Sequence, residues 1–116
     1  MRHRIKTKIL DRKKGPRELM LRNLAASVLM YEKVQTTEAK AKTVKPLVEK
    51  MITFAKKGDL SARRELIKFL PQKLAVKKAM DVLGERYKER EGGYTRIIRI
   101  GKRQGDGAQV VQLELV

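Results

Sequence analysis

Few side chains in this sequence could act as catalysts, and none is arranged for a reaction. The single histidine, His3, lies in a basic N-terminal segment where nothing fixes its tautomer or its geometry. The two serines, Ser27 and Ser61, have no base placed beside them. The chain has no cysteine, which excludes disulfides, thiolate nucleophiles and cysteine-containing zinc sites. We therefore expect no enzyme, no catalytic residue, no metal site and no cofactor.

Two further motifs are more typical of surface structure than of chemistry. The carboxylates Glu85, Glu89 and Glu91 alternate with lysine and arginine, which indicates a solvated ion-pair face. The Gly-Asp-Gly at 105–107 lacks the third glycine of a nucleotide-binding turn and precedes a strand instead of opening a helix. We expect no small-molecule substrate, and a small phosphodiesterase has neither an acid–base pair nor a metal constellation to support it.

Net charge is the most informative feature of the composition. The chain has 29 Lys and Arg against 13 Asp and Glu, a formal charge of +16, and its pI is near 10.4. Such an excess predicts a polyanionic partner. Only 4% of residues are aromatic, so we expect recognition through phosphates, sugars and shape, with few bases stacked on aromatic rings.

The excess charge is densest at the N-terminus. Residues 1–17 contain eight Lys and Arg and one acid, and the few apolar residues there follow no helical or strand period. A segment of this kind cannot bury enough apolar surface to order itself, so residues 1–15 are predicted to be an extended basic arm that orders against anions. An unstructured solubilising tail is the alternative.

Length and hydropathy limit the architecture. A chain of 116 residues is the size of one domain, predicted here to span residues 16–116. No apolar run approaches the roughly 20 residues that cross a bilayer, and the N-terminus lacks the apolar region of a signal peptide. We expect a cytoplasmic protein with no membrane association.

Hydrophobic periodicity predicts four helices, at about 16–32, 38–57, 60–70 and 72–83. In the longest, six apolar residues recur at helical spacing from Ala41 to Ala55. Thr37 is a candidate N-cap for this helix, Gly58 a C-cap, and Pro46 predicts a kink or two abutting helices. Leu60, Leu66, Ile67 and Leu70 supply the apolar face of the third helix. Gly84 is expected to end the fourth.

The remaining elements are predicted strands. Residues 94–100 and 109–116 are rich in Ile, Val and Leu and form a terminal hairpin, and in the second of these strands Val111, Leu113 and Leu115 share one face. Residues 33–36 could be an edge strand or a connector. Helices followed by a hairpin predict a two-layer α+β fold.

Cations cluster at two places outside the arm. Lys40, Lys42 and Lys45 lie near the start of the longest helix, where the helix N-terminus itself attracts phosphate, although surface lysines usually only solvate a helix. Lys102 and Arg103 lie at the hairpin tip. Arg96 would face the core if Ile98 and Ile100 pointed inward. We expect these groups to contact phosphates and to give limited base readout.

The order and spacing of several short motifs resemble the bacterial L-seventeen family of large-subunit ribosomal proteins over essentially the whole chain. The motifs are Met1-Arg2-His3, Arg17 with Arg22-Asn23-Leu24, Thr36-Thr37 with Lys40-Ala41-Lys42, Ile52-Thr53, Gly92-Gly93-Tyr94-Thr95-Arg96-Ile97 and Gly105-Asp106-Gly107-Ala108. The sequence departs from the family at 14–16, where a Ser/His-containing run is common, and at Lys45, where arginine is common and would grip phosphate with two hydrogen bonds.

The resemblance implies helices packed on a small mixed three-stranded sheet, with residues 34–36 as a strand. It implies a structural constituent of the large ribosomal subunit that binds large-subunit ribosomal RNA and supports translation, beside other large-subunit proteins near the outer end of the exit tunnel. The RNA-facing residues that it implies are Arg2, His3, Arg17, Arg22, Asn23, Lys40, Lys42, Tyr94, Thr95 and Arg96. Charge alone adds Arg4, Lys6, Lys8, Arg12, Lys13, Lys14, Lys45, Lys102 and Arg103. A basic DNA-binding architectural or regulatory protein is the alternative.

Overall fold

A computed structural model describes residues 13–116, in which helices cover one face of a three-stranded sheet. The helical elements are α1 (Lys14–Tyr31), α2 (Glu38–Lys57), α3 (Leu60–Phe69), α4 (Lys73–Lys78), a π-helical segment (Ala79–Leu83) and α5 (Gly84–Arg86). The strands are β1 (Lys33–Thr37), β2 (Thr95–Lys102) and β3 (Gln109–Leu115). The α+β class predicted from the sequence is confirmed.

The sheet is antiparallel throughout, not mixed as the resemblance implied. Its strand order is β1-β3-β2, and both outer strands run antiparallel to β3. Leu113 is the common reference point, opposite Val34 of β1 and Ile97 of β2. Because the hairpin returns the chain between the other two strands, β1 and β2 share a direction but never pair with each other.

The apolar stripes predicted from the sequence form the core. All six periodic residues of α2, from Ala41 to Ala55, are buried, and so are Leu21, Ala25 and Val28 of α1. From the sheet, Val111, Leu113 and Leu115 point toward the helices. No helix within residues 13–116 covers the opposite face of the sheet.

The predicted apolar face of α3 is partly wrong. Leu66 and Leu70 are buried together with Ala62, whereas Leu60 and Ile67 are exposed. The physical reason is position, because α3 packs against α2 and α4 but makes no comparable contact with the sheet. It therefore buries only a narrow stripe.

The boundaries of α2 match the predicted ones, although its caps behave differently. Gly58 ends the helix in the left-handed conformation, with φ 67°, and the Asp59 carboxylate caps α3 by accepting a hydrogen bond from the Ala62 N–H at 2.7 Å. Thr37 occupies the N-cap position, but its side chain makes no capping hydrogen bond. The helix continues through the exposed Pro46, so it is not split into two.

Gly84 does not end the fourth helix as predicted. Its dihedral angles are helical, φ −57° and ψ −42°, and the helical chain continues to Arg86. A Cβ atom built on Gly84 would lie 2.6 Å from the Ala55 carbonyl oxygen. The glycine therefore permits close approach of this segment to α2, and the turn that it was expected to make does not occur.

The other boundaries differ by a few residues. Helix α1 begins at Lys14, inside the arm predicted at 1–15, and places Pro16 in its first turn, where a missing N–H costs nothing. Strand β2 runs on to Lys102 through an irregularity between Arg99 and Gly101. The rest of the predicted arm, residues 1–12, lies outside the described residues.

Candidate nucleic-acid interface

A polar groove joins the two cationic clusters that the sequence placed far apart in the chain. It has a volume of about 390 Å³ and lies where β1 runs into α2, next to the tip of the hairpin. Its lining residues are Gln35, Thr36, Thr37, Lys40, Arg103 and Val110. We call it the α2-start groove. Two cations and two hydroxyl-bearing side chains here share one concave surface, which suits an anionic group with several oxygen atoms.

The first turn of α2 adds backbone donors to this groove. The first N–H groups of any helix lack partners within the helix, and here the Thr37 side chain caps none of them. Such groups and the helix dipole favour anions. Glu38, also in the first turn, has its carboxylate directed to Lys42 at 2.7 Å and to Arg99 at 3.7 Å.

The hairpin tip holds Arg103 in place through a neighbouring carboxylate. Asp106 accepts hydrogen bonds from the Arg103 guanidinium and from the Ala108 backbone N–H, the latter at 3.1 Å. These hydrogen bonds, that from Arg103 first, lower the pKa of Asp106 to about 2. Gly105 and Gly107 have positive φ and allow the tight loop that brings the partners together. Lys102 beside them is exposed.

Arg96 lies on the outer face of the sheet, away from the core. Its Nε donates to the Glu114 carboxylate on β3 at 2.8 Å, and this hydrogen bond lowers the pKa of Glu114. Ile98 and Ile100 are exposed as well, 42% and 51%, so the arrangement in which they would turn Arg96 inward does not occur. Arg96 is therefore accessible to a partner on the uncovered face of the sheet.

Lys42 and Lys45 lie on the surface of α2 and are already in ion pairs along the helix. Lys42 contacts Glu38 at 2.7 Å and Lys45 contacts Glu49 at 3.6 Å. Exposed pairs of this type contribute at most about 1 kcal/mol, so a phosphate could replace either carboxylate. Both lysines follow Lys40 within two turns of α2 but lie about 140–160° around the helix from it, so they form a basic surface on a different side of α2 from the α2-start groove.

Two residues that the resemblance implied as RNA-facing have their side chains buried in this structure. Tyr94 is 1% exposed, and its hydroxyl accepts a hydrogen bond from Lys56 Nζ at 2.9 Å. Thr95 is 5% exposed and donates to the Glu49 carboxylate at 2.8 Å. Both side chains are occupied in the interior, so they position the start of β2 and leave Arg96 as the exposed member of the motif.

Arg22 and Asn23 lie on a different surface from the α2-start groove. The Arg22 guanidinium stands over the Phe69 ring at 5.6 Å, and the Asn23 side-chain oxygen accepts from Gln72 at 3.2 Å. Lys50 borders the same depression as Arg22, and ten residues of helix, about 15 Å, separate it from Lys40. The structure therefore separates Arg22 and Asn23 from the predicted site residues at the α2-start groove.

The aromatic part of this second surface was not predicted from the sequence. Both phenylalanines of the chain border the depression, and Lys50 and Lys57 stand over the Phe54 ring at 5.9 and 5.7 Å. A low aromatic content suggested that rings would contribute little, but composition says nothing about clustering. Phe54 lies four residues after Lys50 and three before Lys57 on one helix, and these spacings are the local signal that could have indicated the contacts.

The remaining predicted residues belong to the arm or its junction with α1. Lys13 and Lys14 are exposed, and Arg17 is half-buried in the first turns of α1. Six predicted residues lie outside the described part of the chain: Arg2, His3, Arg4, Lys6, Lys8 and Arg12.

Over residues 13–116, no group of three or more His, Asp or Glu side chains is arranged to hold a metal ion. In the same range, no helix combines the length and the apolar character needed to cross a bilayer.

Comparison with known proteins gives consistent matches. The family model described as ribosomal protein L17 matches residues 20–116. A protein of Caldanaerobacter subterraneus named large ribosomal subunit protein bL17 is 50% identical over 107 residues, which cover 92% of this chain and 96% of that protein. The protein of the same name from Hyphomonas neptunium is 47% identical over all of this chain and 83% of its own length. That from Clostridium acetobutylicum is 50% identical, covering 92% of this chain and 94% of its own.

Proposed function

The chain belongs to the ribosomal protein L17 family, and from this premise we infer that it binds large-subunit ribosomal RNA as a structural constituent of the large ribosomal subunit. Members of the family are structural components of the ribosome and not enzymes, so the protein works by binding, in the cytoplasm where bacterial ribosomes act. Its protein partners are neighbouring large-subunit proteins, which we propose lie on the exit-tunnel side.

The α2-start groove is the observation that carries the RNA-binding proposal. Lys40 and Arg103 are 63 residues apart in sequence, yet the fold brings both to one groove beside the first backbone N–H groups of α2. Hydrogen-bond donors of this kind match the non-bridging oxygens of a phosphate. RNA phosphates repeat along a strand, so the exposed Lys102 beside Arg103 would meet the next one, whereas Lys42, on the other side of α2, would meet a separate phosphate.

The arm adds electrostatic attraction to RNA that does not depend on the RNA sequence. Residues 1–12 carry five Lys and Arg and one acid, and we propose that they lie along RNA strands while the folded core sets the orientation. Arg96, on the open face of the sheet, and Arg22, on the helical side, supply further contacts. Phosphate contacts on several sides of the molecule would thus fix the position of the protein on RNA.

Salt-dependent binding to deproteinised large-subunit rRNA tests the groove. The double variant Lys40→Ala and Arg103→Ala should flatten the log–log slope of affinity against salt by up to about 1.4–1.8, at 0.7–0.9 per phosphate contact. The matched control removes two exposed lysines outside the groove, Lys77→Ala and Lys88→Ala, and should change the slope less. Equal changes in the two double variants would refute the groove as a phosphate site.

Deletion of residues 2–12 tests the arm separately. Thermal unfolding should be nearly unchanged, because α1 begins only at Lys14, whereas the slope should fall by roughly 3.5–4.5 for five lost cations. An unchanged slope would contradict the arm's role. Competition with duplex DNA of equal length distinguishes the alternative function, since equal affinity for DNA and rRNA would favour a DNA-binding protein.

A further inference from the structure

An apolar groove lies between α3 and α4, and none of the predicted RNA-binding residues within 13–116 lines it. It is open, has a volume of about 280 Å³, and is lined by Arg63, Ile67, Leu70, Pro71, Lys73 and Val76. We call it the α3–α4 groove. The floor is provided by the buried Leu70 and Val76, and Ile67 forms an exposed wall.

Aliphatic side chains around this groove are unusually accessible. Ile67 is 56% exposed, Leu60 on the same face of α3 is 62% exposed, and Leu74 at the start of α4 is 67% exposed. Leu60 and Ile67 are seven residues apart, so they lie nearly in line along the helix. Aliphatic surface concentrated beside a concave apolar floor is typical of a protein-docking site and is not explained by solubility or by folding.

The chemistry of the groove is unsuitable for RNA as its main occupant. Aliphatic groups offer nothing to phosphates or ribose hydroxyls, and no aromatic ring lines the groove to stack a base. The groove is also set apart in the fold. Helices α1 and α2 pack on the sheet, whereas α3 packs on α2 and α4.

Charge at the rim specifies the kind of protein that would fit. Arg63 and Lys73 line the groove itself, and Arg64 and Lys77 are exposed on the same two helices. The acid of α3, Glu65, is within 3.6 Å of Lys68 and is partly neutralised by it. A partner segment must therefore bring carboxylates to the rim and aliphatic side chains to the floor.

We propose that the α3–α4 groove docks an acidic amphipathic helix of a partner protein. A leucine or isoleucine of that helix enters between Ile67 and Val76, and its flanking glutamates or aspartates pair with Arg63 and Lys73. Apolar anchors on a helix recur at three- and four-residue spacing, which suits a groove bordered by two helices. This docking requires no RNA, so its test does not depend on the rRNA-binding proposal.

A designed peptide is the probe. It is a 15-residue helix with leucines at i, i+4 and i+7 and glutamate at most other positions, added to the full-length protein with methyl groups of Ile, Leu and Val labelled for NMR. We expect saturable shifts at Ile67, Leu70 and Val76. Replacing the flanking glutamates of the peptide by glutamine should weaken binding roughly three- to tenfold, because two exposed ion pairs are lost.

Matched variants of the protein complete the test. Ile67→Glu should abolish the saturable shifts, whereas Ile98→Glu, at an isoleucine 42% exposed on the open face of the sheet, should leave them unchanged. Ile67→Ala guards against misfolding of the first variant and should weaken binding without affecting thermal unfolding. The proposal is overturned if no saturable shift occurs, if Ile67→Glu binds as the parent does, or if rRNA shifts these methyls more strongly than the peptide.

Discussion

Substituting Gly84 by alanine should destabilise the protein, although alanine is the better helix former. Gly84 lies in the helical chain that continues from the π-helical segment Ala79–Leu83 into α5, and its backbone angles suit any residue. A Cβ atom there would approach the Ala55 carbonyl oxygen to 2.6 Å and its carbonyl carbon to 3.0 Å. Real Cβ atoms essentially never come closer than 3.0 Å, and the obstacle is backbone and cannot rotate away.

The size of the effect follows from two opposing contributions. In an open helix, replacing glycine by alanine stabilises by about 1 kcal/mol. Here the added methyl group must push α2 and α5 apart by several tenths of an ångström, and overpacking of this kind typically costs about 1–3 kcal/mol. The displaced segment of α2 includes Met51, Ile52 and Ala55, which are core residues, so we place the cost at the upper end. The net loss should be about 1–2 kcal/mol.

Thermal and urea unfolding measure this loss directly. For a domain of this length the net change corresponds to a Tm lowered by about 4–8 °C. Gly15→Ala is the matched control, because Gly15 lies in the first turn of α1 with no atom within 4 Å of its added Cβ. That variant should be unchanged or stabilised by up to about 1 kcal/mol. A Gly84→Ala protein as stable as the parent would refute the close approach of α5 to α2.

Two side-chain networks give further predictions. Hydrogen bonds from Arg86 and Lys78 lower the pKa of Glu32 from 4.5 to about 2, so their stabilisation is present above pH 4.5 and is lost as the pH falls toward 2. Glu32→Gln should therefore reduce the loss of unfolding free energy between about pH 4.5 and 2, by less than about 1 kcal/mol because the pair is partly exposed. The same loss in the variant and the parent would contradict this role of Glu32. Tyr94→Phe, which removes one of the two hydrogen-bond partners of Lys56, should cost about 0.5–1.5 kcal/mol in unfolding free energy and leave the affinity for rRNA at fixed salt unchanged, and a clearly weaker affinity would support Tyr94 as an RNA contact.

Local patterns in the sequence were sufficient for the long, one-sided elements. Helix α2 has 20 residues, and its apolar stripe repeats often enough to define both its face and its bounds. Strand β3 alternates cleanly, and the residues predicted to share a face, Val111, Leu113 and Leu115, are all buried. Helix α3 has only ten residues, and its periodicity did not identify which of its leucines are buried, because burial depends on how α3 lies against α2 and α4.

The errors and omissions depend on contacts between distant parts of the chain. The local sequence predicts that Gly84 ends a helix. Its role in close packing becomes clear only from its contact with Ala55, 29 residues earlier in the chain. The motif around Tyr94 is polar in sequence and therefore suggests an accessible site. In the fold, Lys56 and Glu49 of α2 form hydrogen bonds with the side chains of Tyr94 and Thr95. Charge alone likewise identified the cations near Lys40 without revealing which of them share a groove.

Ion pairs within residues 13–116 should affect how much each cation contributes to the proposed binding of RNA. Lys42, Lys45, Arg96 and Arg103 each pair with a carboxylate of the protein. A cation whose charge is already compensated by a carboxylate neutralises less of an RNA phosphate and displaces fewer of the cations condensed on the RNA, so each such contact should add less than about 0.7–0.9 to the salt slope. Lys40 pairs with no acid within residues 13–116 and should contribute fully. The paired cations are better oriented, because their carboxylates fix the side chains before RNA arrives. We therefore expect unpaired cations to supply most of the attraction to RNA, and the paired cations to determine where and in which orientation the protein is held.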